Sequence, residues 1–530
     1  MGRDALPCNY TVNGHDYIMG YYLADRAARK DVEGSFRVLP LRWAIVHEAT
    51  NRWEPETLWE VMTCSKIMHN ILWGMRLTML AIPLIFRGLR KHGPDVMLLH
   101  LGAVPTLVVS SPRAAEAVLR TNDHVLASRP HSVVTDILMY GSSDVAFAPY
   151  GQGWRQARKL LTNHMLSVRK VQSFRSAVME EVSMVMAKIN EAAAVGSVVD
   201  MSELLKTFTY DMACRIVSGE FFLKEGRSKL FQDLTNDTSL LLGGFKVEEY
   251  FPTLSRVELL KRTVHAKAER LRRRWADLLD KVIVSHENKD KSALDNQGGN
   301  FVDILLSIQL ENGLTREQMK ALLTDVFFGS TDTSSNTLEF TMAELMRRPR
   351  LIGKLQDEVR SIVPQGQEIV SEADMNNMTY LRAVIKESLR LHPVAPLLAP
   401  HLAMADCSID GYMIPATHVF VNVWAIGRDS SSWEDSEEFI PERFIEEGSD
   451  VHVNFIGSNF KLLPFGAGRR ICPGINLGIT IVELMLANLM YHFDWELPKG
   501  NERKDIDMTE VFGLTVRLKE KLLLVPKSRI

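Results

Sequence analysis

The segment Pro464 to Gly474, PFGAGRRICPG, constrains this chain more than any other stretch of its 530 residues. Three glycines, Gly466, Gly468 and Gly474, surround Cys472, so the backbone there can approach something bulky and flat. An apolar face follows from about Asn476, carried by Ile479, Val482, Leu486 and Leu489, and Pro473 suits the start of that helix. Cys472 is therefore expected just ahead of a helix N-terminus, whose free amides and dipole favour a thiolate, and Arg470 adds positive charge. The other cysteines, Cys8, Cys64, Cys214 and Cys407, lie far off and form no CxxC pair. A tetrahedral zinc site lacks its ligands, a disulfide framework is not expected, and a reducing compartment fits better. A lone thiolate can still supply one axial ligand to a metal already held by its other ligands, as heme iron is. A buried structural cysteine would explain neither the glycines nor the arginine.

The remainder of the chain reads as packed helices with a few strands. A hydrophobic fraction of 46% and a charged fraction of 24% exclude a disordered chain and a multi-span membrane protein. A net charge of −3 argues against a nucleic-acid partner, and the basic run Lys267 to Arg274 reads as a solvated helix face. Met97 to Ser111 alternates around a proline and predicts a hairpin, after which SPRAAEAVLRTND starts a helix. Residues 284–300 read as a polar surface connection. Thr315 and Gln318 form a capping box that opens a helix running to Arg348 and Pro349, about 33 residues or ~50 Å long. Its middle, GSTDTSS from Gly329 to Ser335, is wrong for a helix interior because small hydroxyl residues compete for the backbone. Local weakness in a long helix marks a functional site.

Phe465, Gly466, Gly468, Arg470, Cys472 and Gly474 match every fixed position of the heme-binding signature of cytochromes P-450, the heme-thiolate monooxygenases. KESLRLHP with Glu387 and Arg390, PERF with Arg443, and WRQARK with Trp154 and Arg158 match further motifs of that family in the right order. Over roughly residues 80–530 the chain resembles the plant A-type members. The resemblance implies a mainly α fold with small β-sheets (α+β), triangular in outline, with a long central helix over the heme. It implies heme b as cofactor, Cys472 as the iron ligand, Phe465 in the cofactor site, and Trp154, Arg158 and Arg470 on the propionates. His401 stands where another propionate-binding arginine is common; at a reference pKa near 6.5 it is mostly neutral, so that contact is weaker. Glu387, Arg390 and Arg443 resemble the buried Glu-Arg-Arg cluster that orders the cysteine loop.

The resemblance also makes Asp332 and Thr333 the catalytic acid and alcohol. Cleaving the bond of O2 consumes two protons, and an alcohol that holds water in a helix gap can relay them. Ser330 replaces a common glycine and narrows or rehydrates that gap. The implied activity is insertion of one atom of O2 into a small hydrophobic plant metabolite, with electrons from NADPH through a reductase. A heme-thiolate isomerase or dehydratase stays open as an alternative, as does a non-functional fusion product. Expected lining positions fall in Val133 to Phe147, Val326 to Ser330, Val394 to Ala399 and Gly513 to Thr515, which are mostly apolar.

Residues 1–75 fit none of this. PCNYTVNGHDYIMGYYLADRAARKDVEGSFRVL resembles the C-terminal part of a plant Harbinger-type transposase, with Asp25 and Glu33 at places like its acidic metal ligands. Two-metal nucleases need a full acidic set, and an upstream acid is missing, so a working nuclease is not expected. The resemblance implies the cytosolic face of the endoplasmic reticulum membrane, yet no transmembrane anchor is read in the sequence. Leu77 to Phe86, LTMLAIPLIF, is about half the ~20 residues a span needs and suits a buried helix or a peripheral membrane contact. Deleting residues 1–75 is expected to leave the heme content of the purified protein unchanged; loss of heme without general unfolding would contradict this.

Overall fold

The computed structural model describes residues 10–12, 15–17, 95–101, 103–219, 228–243, 247–250, 258–288, 299–409, 411–445, 450–511 and 513–529. The chain divides into two units, Met1–Met75 and Arg76–Ile530. In the first, Tyr10–Val12 pairs antiparallel with His15–Tyr17. Asp25, Glu33 and the apolar segment Leu77 to Phe86 lie outside the described residues.

The second unit is mainly helical with small sheets. The predicted hairpin forms from Val96–Leu101 and Val104–Val109. It enters a four-stranded sheet in which Val104–Val109 runs parallel to His418–Val421, whose other edge holds His401–Leu402. An isolated bridge from Ser128 to Leu402 brings the segment before Arg129 beside His401. A separate core of Leu107, Val118, Leu126, Val419 and Leu463 packs on this sheet. The larger core belongs to the helices and includes Phe208, Trp275, Phe327, Phe340 and Leu486. The surface connection expected from Val284 begins later, because the helix Glu258–Glu287 continues through it; the part beyond residue 288 is described again only from 299.

Local chemistry sets the helix that crosses this core. Asn300 and Asp303 form a capping box for Phe301–Asn312, and Gly313 ends that helix at φ 61 in the left-handed region. Thr315 and Gln318 then cap Arg316–Ser330 as expected. The single long helix of the sequence reading is in fact two. Thr331, at φ −88 and ψ −80, breaks the ladder, and Asp332–Arg347 follows. Hydroxyls explain the break: Ser330 Oγ donates to Val326 O at 2.7 Å, Thr331 Oγ1 to Phe327 O at 3.2 Å and Thr333 Oγ1 to Gly329 O at 2.8 Å. The second piece ends before Pro349, whose ring disfavours helical backbone at Arg348.

The cysteine-loop helix, Ile475–His492, is long and apolar enough to cross a membrane, yet 67% of it is buried inside the protein, so it is a core element. Ahead of it, the chain from residue 427 to 445 is pinned by one ion cluster. Arg390 donates from Nε and Nη2 to the two oxygens of Glu387, each at 2.7 Å, and Nη1 reaches Gly427 O and Ser436 O. Arg443 Nε donates to Glu387 Oε1 at 3.3 Å, and the amide of Ile440 donates to the same oxygen at 2.7 Å. Glu387 and Arg390 are at most 1% exposed. Removing one partner leaves an uncompensated buried charge, which costs about 3–5 kcal/mol. Glu387→Gln is therefore expected to lower the unfolding free energy by that order and to reduce recovery of heme-loaded protein; wild-type stability would refute the cluster's structural role.

Candidate active site

The break at Thr331 opens the middle of an otherwise buried element. Met319 to Phe327 and Ser334 to Met346 are all buried, while Gly329 is exposed and Ser330, Asp332 and Thr333 are partly so. Other segments meet there. A Cβ added to Gly478 would lie 3.9 Å from Ser334 Oγ, so the cysteine-loop helix runs against the long helix just past its break. Asn336 Nδ2 donates to Val516 O at 3.0 Å, and the amide of Val516 donates to Val394 O at 2.9 Å. These bonds hold the 513–515 turn beside the 394–399 turn. The amide of Val145 donates to Asp325 Oδ2 at 2.5 Å, tying the 133–147 segment to the same helix. The expected lining segments are thus tied to the long helix on either side of its break.

The cysteine loop is shaped by close approach. Gly468 sits at φ +68, and a Cβ there would lie 2.2 Å from Leu119 O; no side chain fits. The amide of Cys472 donates to Phe465 O at 3.0 Å, and the helix begins at Ile475 with Gly474 as cap. Cys472 is closely surrounded yet keeps accessible surface, as a side chain lining an internal space does. The expected preference for thiolate is reversed. Burial pushes the thiol above its ordinary value, outweighing the Gly474 amide and the Arg158 charge. A coordinated metal overrides that penalty, because it deprotonates its thiol ligand outright.

Guanidinium groups gather beside the loop. Arg470 Nε, Nη1 and Nη2 donate to the carbonyls of Ala127, Val145 and Ala148 at 2.6, 3.1 and 2.5 Å. Its guanidinium carbon lies 4.2 Å from the centre of the Trp154 ring, whose Nε1 donates to Val145 O at 3.0 Å. Arg158 Nη2 donates to Ile471 O at 2.6 Å, next to Cys472. A residue not found in the sequence completes the set: Arg129, 7% exposed, donates to Ala146 O, Ala399 O and Pro400 O. Burial, and then the Arg470 charge, pull Arg129 down to about 9; burial also brings Arg470 to about 10. This donor set fits a flat group carrying two carboxylates above a cysteine ligand. His401 departs from the expectation of a propionate donor. Burial, and then Arg129, hold it near a pKa of about 3, so it is neutral, and its Nδ1 donates to Leu126 O at 2.8 Å. Its Nε2 is then an acceptor only.

Two buried acids balance part of the positive charge. Asp144 Oδ2 accepts from the Phe147 amide at 2.6 Å, while the Oδ1 atoms of Asp144 and Asp325 have no hydrogen-bond partner. Burial raises Asp144 to about 6, and burial with the Asp144 charge raises Asp325 well above the carboxylate range.

The profile of the cytochrome P450 family matches residues 66–525, beginning earlier than the residue 80 expected. The chain belongs to the cytochrome P450 family. A plant transposon protein profile matches residues 25–75, overlapping the transposase-like segment. The indole-2-monooxygenase of Zea mays is 53% identical over 83% of this chain and 82% of its own length. The indolin-2-one monooxygenase of Zea mays is 50% identical over 82% of this chain and 83% of its own. A zebrafish cytochrome P450 solved with abiraterone superposes with a TM-score of 0.70 at 26% identity, covering 84% of this chain and 98% of that one. The protein is thus a heme-dependent monooxygenase that uses heme b and takes electrons from NADPH through a reductase.

Cys472→Ser is expected to abolish the red-shifted carbonyl Soret band of the reduced protein; an unchanged band would exclude Cys472 as ligand. Asp144 carries a pH dependence with a definite sign. Its folded value of about 6 exceeds the ordinary 3.8, so the stability it contributes is present below 3.8 and lost as pH rises through about 6. Asp144→Asn is therefore expected to gain denaturant stability over wild type across that window and to keep the gain at pH 7. A constant difference across the window would contradict the raised carboxyl.

Proposed function

We propose that the chain inserts one atom of O2 into a small, flat, apolar aromatic molecule of the indole or indolin-2-one kind. The reading rests on the names of its relatives and on the apolar lining segments. The observation that carries the oxygenase chemistry is the meeting of the Cys472 helix with the hydroxyl-rich break, seen in the approach of Gly478 to Ser334. Heme supplies the iron centre that activates O2. Cys472 would ligate its iron, Phe465, whose carbonyl accepts from the Cys472 amide, would lie in the cofactor site, and Arg158, Arg470, Trp154 and Arg129 would hold the two propionates. His401, neutral and with Nδ1 committed to Leu126 O, would offer a propionate no donor. Thr333, whose hydroxyl already donates to Gly329 O at 2.8 Å, holds water at the break. Asp332 passes protons to that water, and the apolar walls keep bulk water out. Residues 1–75 take no part in this chemistry. Attachment to the endoplasmic reticulum, on its cytosolic face, belongs to this reading, and sedimentation with the microsomal fraction would support that.

The test adds indole, indolin-2-one or the long-chain acid laurate to the reductase-supplied enzyme and follows binding spectra, NADPH, peroxide and product. The bicyclic compounds are expected to bind and be oxidised, and laurate not; preference for laurate would sink the substrate class. Thr333→Ala is expected to keep substrate binding and NADPH consumption while product per NADPH falls about tenfold and peroxide rises. Unchanged coupling would remove Thr333 from the proton path.

A further inference from the structure

Asp332 is held from behind by groups that no motif announces. Tyr210, on the helix Met201–Ser218, is 0% exposed and donates from its phenol to Asp332 Oδ1 at 3.1 Å. Ser239, on the helix Ser228–Gly243, donates to Asp332 Oδ2 at 3.5 Å. The Tyr210 ring cannot swing away. It meets Phe231 edge-on at 5.5 Å, and Lys206 lies 5.8 Å over its face while bonded to Asn236. Among the described residues no cation pairs with Asp332. Its two oxygens therefore answer to hydroxyls on two different helices, while the residue, first after the break, stays partly exposed.

We propose that Tyr210 is a positioning residue for oxygen-dependent turnover: its phenol, helped by Ser239, aims the Asp332 carboxylate so that it can pass protons into the break. The proposal rests on the reading of Asp332 as the proton-supplying acid. At 3.1 and 3.5 Å these are long hydroxyl bonds, but they come from two directions and end on different oxygens, so together they restrain the carboxyl's orientation. A guanidinium would clamp the acid in a bidentate fork; hydroxyls leave it able to turn toward water and back. Tyr210 does not itself relay the proton. Burial, reinforced by the neighbouring Asp332, pushes the phenol far above its ordinary range, so it stays a donor at every working pH. The tyrosine acts through the acid rather than on the substrate.

The test uses full-length, heme-loaded protein carrying Tyr210→Phe, Ser239→Ala, Asp332→Asn, or Tyr210→Phe with Asp332→Asn. Thermal unfolding gives a readout apart from turnover: the bond from Tyr210 couples the two positions, Asp332→Asn weakening it and Tyr210→Phe deleting it, so the two losses are expected not to add in the double variant. Additive losses would overturn the proposal. Oxygen-dependent NADPH oxidation with indole present, in H2O and in D2O, gives the second. Tyr210→Phe is expected to slow it about three- to tenfold and to enlarge the solvent isotope effect, with indole binding kept within about twofold. Ser239→Ala is expected to do less, since its bond is longer, and the double variant no more than Asp332→Asn alone. A wild-type rate and isotope effect in Tyr210→Phe beside a slow Asp332→Asn would overturn the positioning role and leave the acid's role standing. Wild-type behaviour of Asp332→Asn would overturn both.

Discussion

Burial of positive charge organises this site. Arg129, Arg158 and Arg470 come from three distant segments and are packed together beside Cys472, each spending its donors on backbone carbonyls. Desolvation of a guanidinium is costly unless its donors are satisfied and its charge is met. The carbonyls of Ala127, Val145, Ala146, Ala148, Ala399, Pro400 and Ile471 meet the first need, and so the arginines fix those loops in register with one another. Asp144 and Asp325 meet the second only in part, because burial keeps both acids above the usual carboxylate range. The residual positive field suits the two propionates of heme.

The second organising constraint is competition for carbonyls inside the long helix. Ser330, Thr331 and Thr333 each spend a hydroxyl on the carbonyl four residues back. The ladder fails at Thr331, and the failure lies where the helix of Cys472 crosses. The same stretch thus gives up regular structure and gains a place for water and protons. Asp332 is the first residue of the second helical piece, which leaves its side chain free to be held from the side by Tyr210 and Ser239.

Much of this was legible in the sequence because it is local. The glycine-flanked cysteine, the capping box at Thr315, the hairpin before Ser111 and the i, i+3 pair Glu387–Arg390 are each written within a dozen residues. What was missed depends on partners far away in the chain. Arg129 meets Ala399 and Pro400, Asp325 meets Val145, and Tyr210 meets Asp332; nothing near any of these residues marks its partner. Two local arguments also met a larger tertiary effect. The helix-start case for a Cys472 thiolate was sound in sign, but burial outweighs it. The single long helix was right in extent, but the sequence does not state how many hydroxyls will turn inward and break it.

Gly329 carries a consequence of its own. It sits within the Arg316–Ser330 helix, is exposed to the break, and a Cβ added to it would meet nothing within 4 Å. An alanine there would gain roughly 1 kcal/mol of helix propensity. The fold therefore tolerates, and by local energetics prefers, an added methyl group at this point of the break. At this position helix stability and the room left beside the break are set independently, to the extent of one methyl group. A lineage of such enzymes can therefore gain that methyl group by a single codon change with no penalty in helix stability.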